Sequence, residues 1–192
     1  MPSGRTHDRI TLWILPLITA LSFAVTRNGT LTLFVAGGFL FSGLMFGPDL
    51  DLHSRPFTRW GLFRWIWIPY QQTLRHRSVF SHGPIIGTVI RIIYLAGWLA
   101  VLALLVWVAG QLAGSPWSWG ETVQTFLQIL KQHLPEIFSL FIGLELGAMS
   151  HYLSDITGSA YKRFQRQGVQ GLLFSKPKKR RPVRKKKPQK NK

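Results

Sequence analysis

The sequence of 192 residues is 46% hydrophobic and 16% charged, with 8 Trp and 13 Phe. Its net charge of +17 belongs mostly to one end, because 11 of the 24 Lys and Arg fall in residues 176–192 and leave 13 against 7 acids elsewhere. Cysteine is absent, which excludes disulfides, thiolate zinc sites, iron–sulfur clusters and cysteine nucleophiles, so any metal must sit on nitrogen and oxygen ligands.

Residues 10–26 are uncharged and apolar, near the short end of the roughly 17–25 residues that cross a bilayer. Arg5 and Arg9 with Ser22-Phe23-Ala24 imitate a signal peptide, but cleavage would discard His7, and a second apolar run follows at once; a retained helix is expected. Asn28-Gly29 reads as a tight turn, and residues 31–46 return across the membrane with Gly37, Gly38 and Gly43 allowing close helix approach. Residues 47–83 form a connection. Its aromatic centre, Trp60 to Tyr70, is too short to span and is expected in the interface as an anchor or, less simply, a lid, with Arg64 toward phosphates.

The third span is expected over residues 84–110, with Pro84 at its first turn and Arg91 as its one charge. Residues 121–133 suggest a short amphipathic surface helix, and residues 135–152 the fourth span, with Glu145 inside it. Arg91 and Glu145 each lie about seven residues, or roughly 10 Å, below the same membrane face. They could pair with each other, or Arg91 could clamp an anionic substrate group. Residues 176–192 are too polar to fold; a tail that fixes topology and meets anionic lipid headgroups is expected, and no folded motif argues for nucleic acid.

Basic residues favour cytoplasmic loops. Arg55, Arg59, Arg64, Arg75 and Arg77 crowd the 47–83 connection, whereas the first and third connections offer only Arg27 and Lys131. Both termini and the central loop are therefore expected in the cytoplasm. This placement brings His7, Asp49, Asp51, His76, His82, His151 and Asp155 to one face, although their identity played no part in it. His151 and Asp155 share a helix face, and Asp49 and Asp51 would point the same way on an extended segment. These seven are the candidate ligands for one or two divalent ions, zinc first and manganese or iron next. Singly, Asp49 and Asp51 could instead bridge to Arg75 or Arg77, and His151 with Asp155 could close a helix end. His53 is a weaker candidate, His133 falls on the opposite face, and Asp8 suits the start of the first helix.

The segments Gly47-Pro48-Asp49-Leu50-Asp51, Arg59-Trp60-Gly61, Arg64-Trp65-Ile66-Trp67-Ile68-Pro69-Tyr70, His76-Arg77-Ser78-Val79-Phe80-Ser81-His82-Gly83 and His151-Tyr152-Leu153-Ser154-Asp155, with His7, resemble a bacterial family of uncharacterised metal-binding membrane proteins. The resemblance covers about residues 1–160 and implies metal binding in the bacterial inner membrane. More distantly, the order of these motifs is similar to membrane-bound metal-dependent hydrolases, although the two histidines of the central block are spaced further apart here and no Thr precedes the second.

The expected architecture is all-α and polytopic: a four-helix transmembrane metal-binding domain over residues 1–160, and a basic, largely disordered tail over 161–192. Two functions fit it. One is a metal-dependent hydrolase of a lipid-linked phosphoester, with Asp51 or His82 as general base and Arg77 or Arg91 as anion clamp. The other is a structural or sensory metal protein whose tail recruits anionic lipid or a partner. An ion transporter is disfavoured by ligands gathered at one face.

Overall fold

The structure is a computed structural model that describes residues 4–74, 76, 78–116 and 118–168. Among these residues every regular element is helical, and four helices are long and apolar enough to cross a membrane. The first is α1 (Gly4–Thr26), joined to α2 (Gly29–Leu44) through Arg27 and Asn28. Asn28 caps α2 by accepting a hydrogen bond from the Leu31 amide at 3.1 Å, so the turn also starts the returning helix.

The connection after α2 is built of short pieces: a 3₁₀ turn (Pro48–Asp51), α3 (Arg55–Arg59), a 3₁₀ segment (Gly61–Trp67), α4 (Ile68–Thr73) and α5 (Val79–His82). Then come α6 (Ile86–Leu112), the surface helix α7 (Trp119–Gln132) and α8 (Leu134–Gln167). Two boundaries differ from expectation. The 48–51 segment is a 3₁₀ turn rather than extended, because Pro48 starts it and the Leu50 and Leu52 amides close it onto Gly47 and Asp49 carbonyls. Pro84 lies outside α6, which begins after Ile85, a β-branched residue at φ 64°.

α2 lies between α1 and α8, and its contact with α8 is backbone on backbone. A Cβ on Gly38 would lie 2.6 Å from the Leu140 carbonyl oxygen, one on Gly143 would lie 2.2 Å from that of Val35, and one on Gly147 would lie 2.6 Å from that of Phe39. The Gly143-x-x-x-Gly147 stripe is thus the counterpart of Gly38. Gly43 gives the same access to Thr11 of α1, whereas Gly37 faces open space.

The aromatic connection is only partly interfacial. Leu62, Phe63 and Trp65 are exposed, as expected of an anchor, but Ile66, Trp67 and Tyr70 turn inward with Phe46, Leu50, Phe57 and Leu144 to form a hydrophobic core. Trp67, wholly buried, meets the Phe46, Trp60, Tyr70 and Tyr94 rings at centroid distances of 5.1–5.7 Å. Tyr94 of α6 donates its hydroxyl to the Ile66 carbonyl, which fastens the third span to the connection. The lipid-facing rest of α6 exposes Leu99, Val101, Leu102, Leu104 and Leu105. α8 runs past residue 160 to Gln167; at 1.5 Å per residue its 34 residues extend roughly 50 Å, more than a bilayer core requires. The basic tail at 176–192 lies outside the described residues.

Candidate metal centre

The seven sequence-predicted ligands come from the start of α1, the 3₁₀ turn after α2, the approach to α6 and the far part of α8, and all seven meet at one end of the bundle. They form a continuous row. His7 Nε2 lies 3.3 Å from Asp155 Oδ1, and the His7 ring stacks on that of His151 at 3.9 Å between centroids. His151 Nε2 lies 3.2 Å from Asp49 Oδ2, while Asp49 Oδ1 lies 3.7 Å from His82 Nε2. Asp51 then closes the row, with Oδ1 hydrogen-bonded to His76 Nδ1 at 2.9 Å and Oδ2 at 3.6 Å from His82 Nδ1.

Within this row two groups of three have ligand atoms all within 4.8 Å of one another: His7, His151 and Asp155, which are buried, and Asp49, His76 and His82, which are half-buried. Asp51 stands outside both groups, fully covered, and touches the imidazoles of the second. His53 joins neither: its ring packs 5.2 Å from that of Phe57. His133 pairs with Glu136 at the start of α8, away from the centre. Arg75 and Arg77 lie outside the described residues, so their expected roles as ion-pair partners or clamp are not part of the described site.

Hydrogen bonding shows what the donors are prepared for. Ser154 Oγ lies 2.8 Å from the His151 carbonyl oxygen and 2.6 Å from His7 Nδ1, and so holds the His7 ring with Nε2 toward the Asp155 carboxylate. A cation between that nitrogen and that oxygen, 3.3 Å apart, would satisfy both. Asp155 Oδ1, His151 Nε2, Asp49 Oδ1, His82 Nε2 and Asp51 Oδ2 are buried without a hydrogen-bond partner. Leaving even one such group unsatisfied costs about 1–3 kcal/mol. Donors bound about 2.0–2.1 Å from one tetrahedral ion stand roughly 3.4 Å apart, which matches the separations seen here. The residues present therefore fit a divalent metal.

Arg91 and Glu145 do not make the ion pair expected of them. Arg91 sends Nη1 to the Ser81 carbonyl at 2.9 Å and Nη2 to Thr88 Oγ1 at 3.0 Å, and its guanidinium lies 5.8 Å from the Phe46 ring. Glu145 Oε1 accepts from the Ile85 amide at 2.8 Å. Both charges thus grip the backbone of the 81–85 turn, one on each side of His82, because a chain that leaves α5 and turns sharply at Ile85 exposes a carbonyl and an amide that α6 cannot satisfy. Arg91, 1% exposed, uses both of its terminal nitrogens on this turn and on Thr88. Burial pushes the nearby Tyr70 phenol above its ordinary value, an effect that Arg91 opposes.

Asp8 also departs from its expected role at a helix start. Its carboxylate accepts from Arg55 Nη1 at 2.8 Å and from Arg59 Nη1 and Nη2 at 2.9 and 2.7 Å, tying α1 to α3 beside the centre. The roles of Ser154, of Ser81, whose Oγ lies 2.9 Å from His82 Nδ1, and of Asp8 were not read in the sequence; only their adjacency to Asp155, His82 and His7 hinted at them.

Comparison with known proteins agrees with the donor set. A family model described as "Uncharacterized metal-binding protein" matches residues 2–165. An uncharacterized protein of Aquifex aeolicus (strain VF5) is 39% identical over 59 residues, which are 30% of this chain and 41% of that protein. No solved structure matches.

Proposed function

Since the chain belongs to this family of metal-binding proteins, DUF2227, we propose that it holds two divalent ions on one donor row and hydrolyses a phosphoester at that face of the membrane. The observation that carries this reading is the row of buried donor atoms with no hydrogen-bond partner, running from Asp155 through His151 and Asp49 to His82. His7, His151, Asp155 and Asp49 Oδ2 would hold one ion, and Asp49 Oδ1, His76 and His82 the other, with Asp49 shared between them. Zinc suits these nitrogen and oxygen donors best, and manganese and iron also accept them. Bound ions of this kind polarise a phosphoryl oxygen and make a bound water acidic near neutral pH.

The chain's own residues supply the rest. Asp51 holds the His76 ring through Nδ1 at 2.9 Å, while Ser81 Oγ, 2.9 Å from Nδ1 of His82, orients the second imidazole beside Asp51. Buried behind them, Asp51 is also placed to take a proton relayed through an imidazole. Arg91 and Glu145 keep His82 in register by holding the turn on either side of it. The basic central connection supports a cytoplasmic placement of the site in a bacterial inner membrane.

A second reading draws on the difference in exposure. The buried group of three with Asp49 makes a closed set of four donors, the arrangement of a structural ion, so that half of the centre could serve stability alone.

The test is elemental analysis of detergent-purified protein beside Asp49→Ala and His151→Ala variants, followed by phosphoesterase assay after chelation and metal return. About two ions per chain, near none in Asp49→Ala and about one in His151→Ala are expected, with hydrolysis that follows metal content. Metal absent from the wild type, or retained in both variants, removes the proposal. Full metal without hydrolysis of any phosphoester removes its enzymatic half and leaves the structural reading.

A further inference from the structure

A cavity of about 270 Å³ opens beside the centre, lined by His82, Tyr152, Asp155, Ile156, Ser159 and Arg163. It reaches one candidate ligand from each group of three, His82 and Asp155. The other four residues lie on a single stripe of α8, at positions three or four apart, and share one wall of the cavity with Asp155. About 12 Å of helix rise separates Asp155 from Arg163. Long side chains in a helix favour the direction of its N-terminus, which is the direction of the donors from Arg163.

The opposite mouth is different in charge. A cavity of about 210 Å³ reaches His7, Asp49 and His151, but its basic residue, Arg55, is already bound by Asp8. Arg163, by contrast, forms no ion pair among the described residues. One cavity thus brings together two candidate metal donors, the Tyr152 and Ile156 side chains and a guanidinium without an ion pair among the described residues.

We infer that the cavity walled by α8 is the substrate mouth of the centre, and that Arg163 receives an outer phosphate oxygen of a phosphoester held at His82 and Asp155, whose other substituent is an apolar chain packed on Tyr152 and Ile156. This deepens the metalloenzyme reading and rests on it. Arg163 is a binding residue that selects for anionic charge; Ile156 selects for the chain.

The experiment is titration calorimetry on the full-length, zinc-loaded protein in a non-ionic detergent, with inorganic phosphate and hexyl phosphate as probes and zinc content measured on every sample. Wild type binds both, hexyl phosphate several-fold more tightly. Arg163→Gln weakens both by about tenfold at unchanged zinc, the loss expected for one charge-assisted contact; Arg163→Lys recovers part of it. Ile156→Ser removes the advantage of hexyl phosphate and leaves phosphate as it was. Arg55→Gln changes neither. Wild-type affinity in Arg163→Gln, or a loss in Arg55→Gln instead, overturns the assignment of the mouth. Equal affinity for the two probes overturns the apolar substituent. A wild type that retains no zinc overturns the metalloenzyme reading itself, which the metal measurement shows before any titration.

Discussion

The two groups of three candidate ligands rest on different kinds of scaffold. His7, His151 and Asp155 project from long helices whose backbones touch through glycine, and those residues are buried by the helices themselves. Asp49, His76 and His82 stand on short turns, and are held by an aromatic core beneath them and by two charged side chains that grip one turn. A serine orients one imidazole in each group, Ser154 for His7 and Ser81 for His82, and the second group leans in addition on Asp51, Arg91, Glu145 and Trp67. Rigidity from helix packing thus supports the closed half of the centre, while the half that faces water is assembled from parts that can adjust.

Trp67→Ala is the hardest blow to the second scaffold. The ring is wholly buried among four other aromatic rings, and its truncation should cost about 3–5 kcal/mol in stability. If the two scaffolds are separable, the variant keeps about one ion per chain, on His7, His151, Asp155 and Asp49 Oδ2. Loss of both ions in a variant that still elutes as a folded species would show that the centre is a single unit.

Gly143→Ala strikes the other scaffold. The new Cβ would meet the Val35 carbonyl oxygen at 2.2 Å, and that neighbour is backbone, so α2 and α8 must separate. A loss of about 1–3 kcal/mol in thermal unfolding is expected. Because His151 lies on α8 two turns further on and Asp49 just beyond the end of α2, the ion shared by these helices should weaken first. Gly37→Ala, which meets open space, is the matched control and should be silent.

His76→Ala sharpens the comparison by touching the second group alone. The His76 side chain is 25% exposed, but it hydrogen-bonds to the fully buried Asp51, so its removal should lower stability by about 1–3 kcal/mol and drop metal content from two ions to about one. Unchanged stoichiometry would leave the second ion without His76 and reduce that half of the centre to Asp49 and His82.

This division also marks where the sequence was legible. The spans could be read because apolar length is a local property, and the convergence of the seven ligands followed from counting spans and placing Arg residues. The 3₁₀ turn at Pro48–Asp51 was not readable as such, because a Pro followed by alternating Asp and Leu suits an extended strand equally well. Arg91 and Glu145 do reach the same turn, but a pairing rule for opposite charges could not foresee that the Ser81 carbonyl and Ile85 amide would claim them first. The inward turn of Ile66, Trp67 and Tyr70 was hidden because aromatic residues are as common in membrane interfaces as in cores. Only the tertiary position of Phe46, Leu50 and Leu144 distinguishes the two.

The smallest effect is expected from the link between the scaffolds. Asp8 follows His7 on α1 and bonds Arg55 and Arg59 of α3, and Arg59 also donates to the Leu44 carbonyl at the end of α2. It joins the helical half to the connection through groups that are partly open to water, the arginine side chains being 43% and 33% exposed. Exposed pairs contribute little after solvent screening, so Asp8→Asn should cost about 1 kcal/mol or less, and raised salt should bring wild type and variant together. Metal content should remain at two ions, because His7 is oriented by Ser154 and not by its neighbour. Thermal unfolding at low and high salt, with zinc measured alongside, checks both points. A variant that loses one ion at full stability would mean that α3 positions His7 through Asp8, and the helical half could then no longer be called self-supporting.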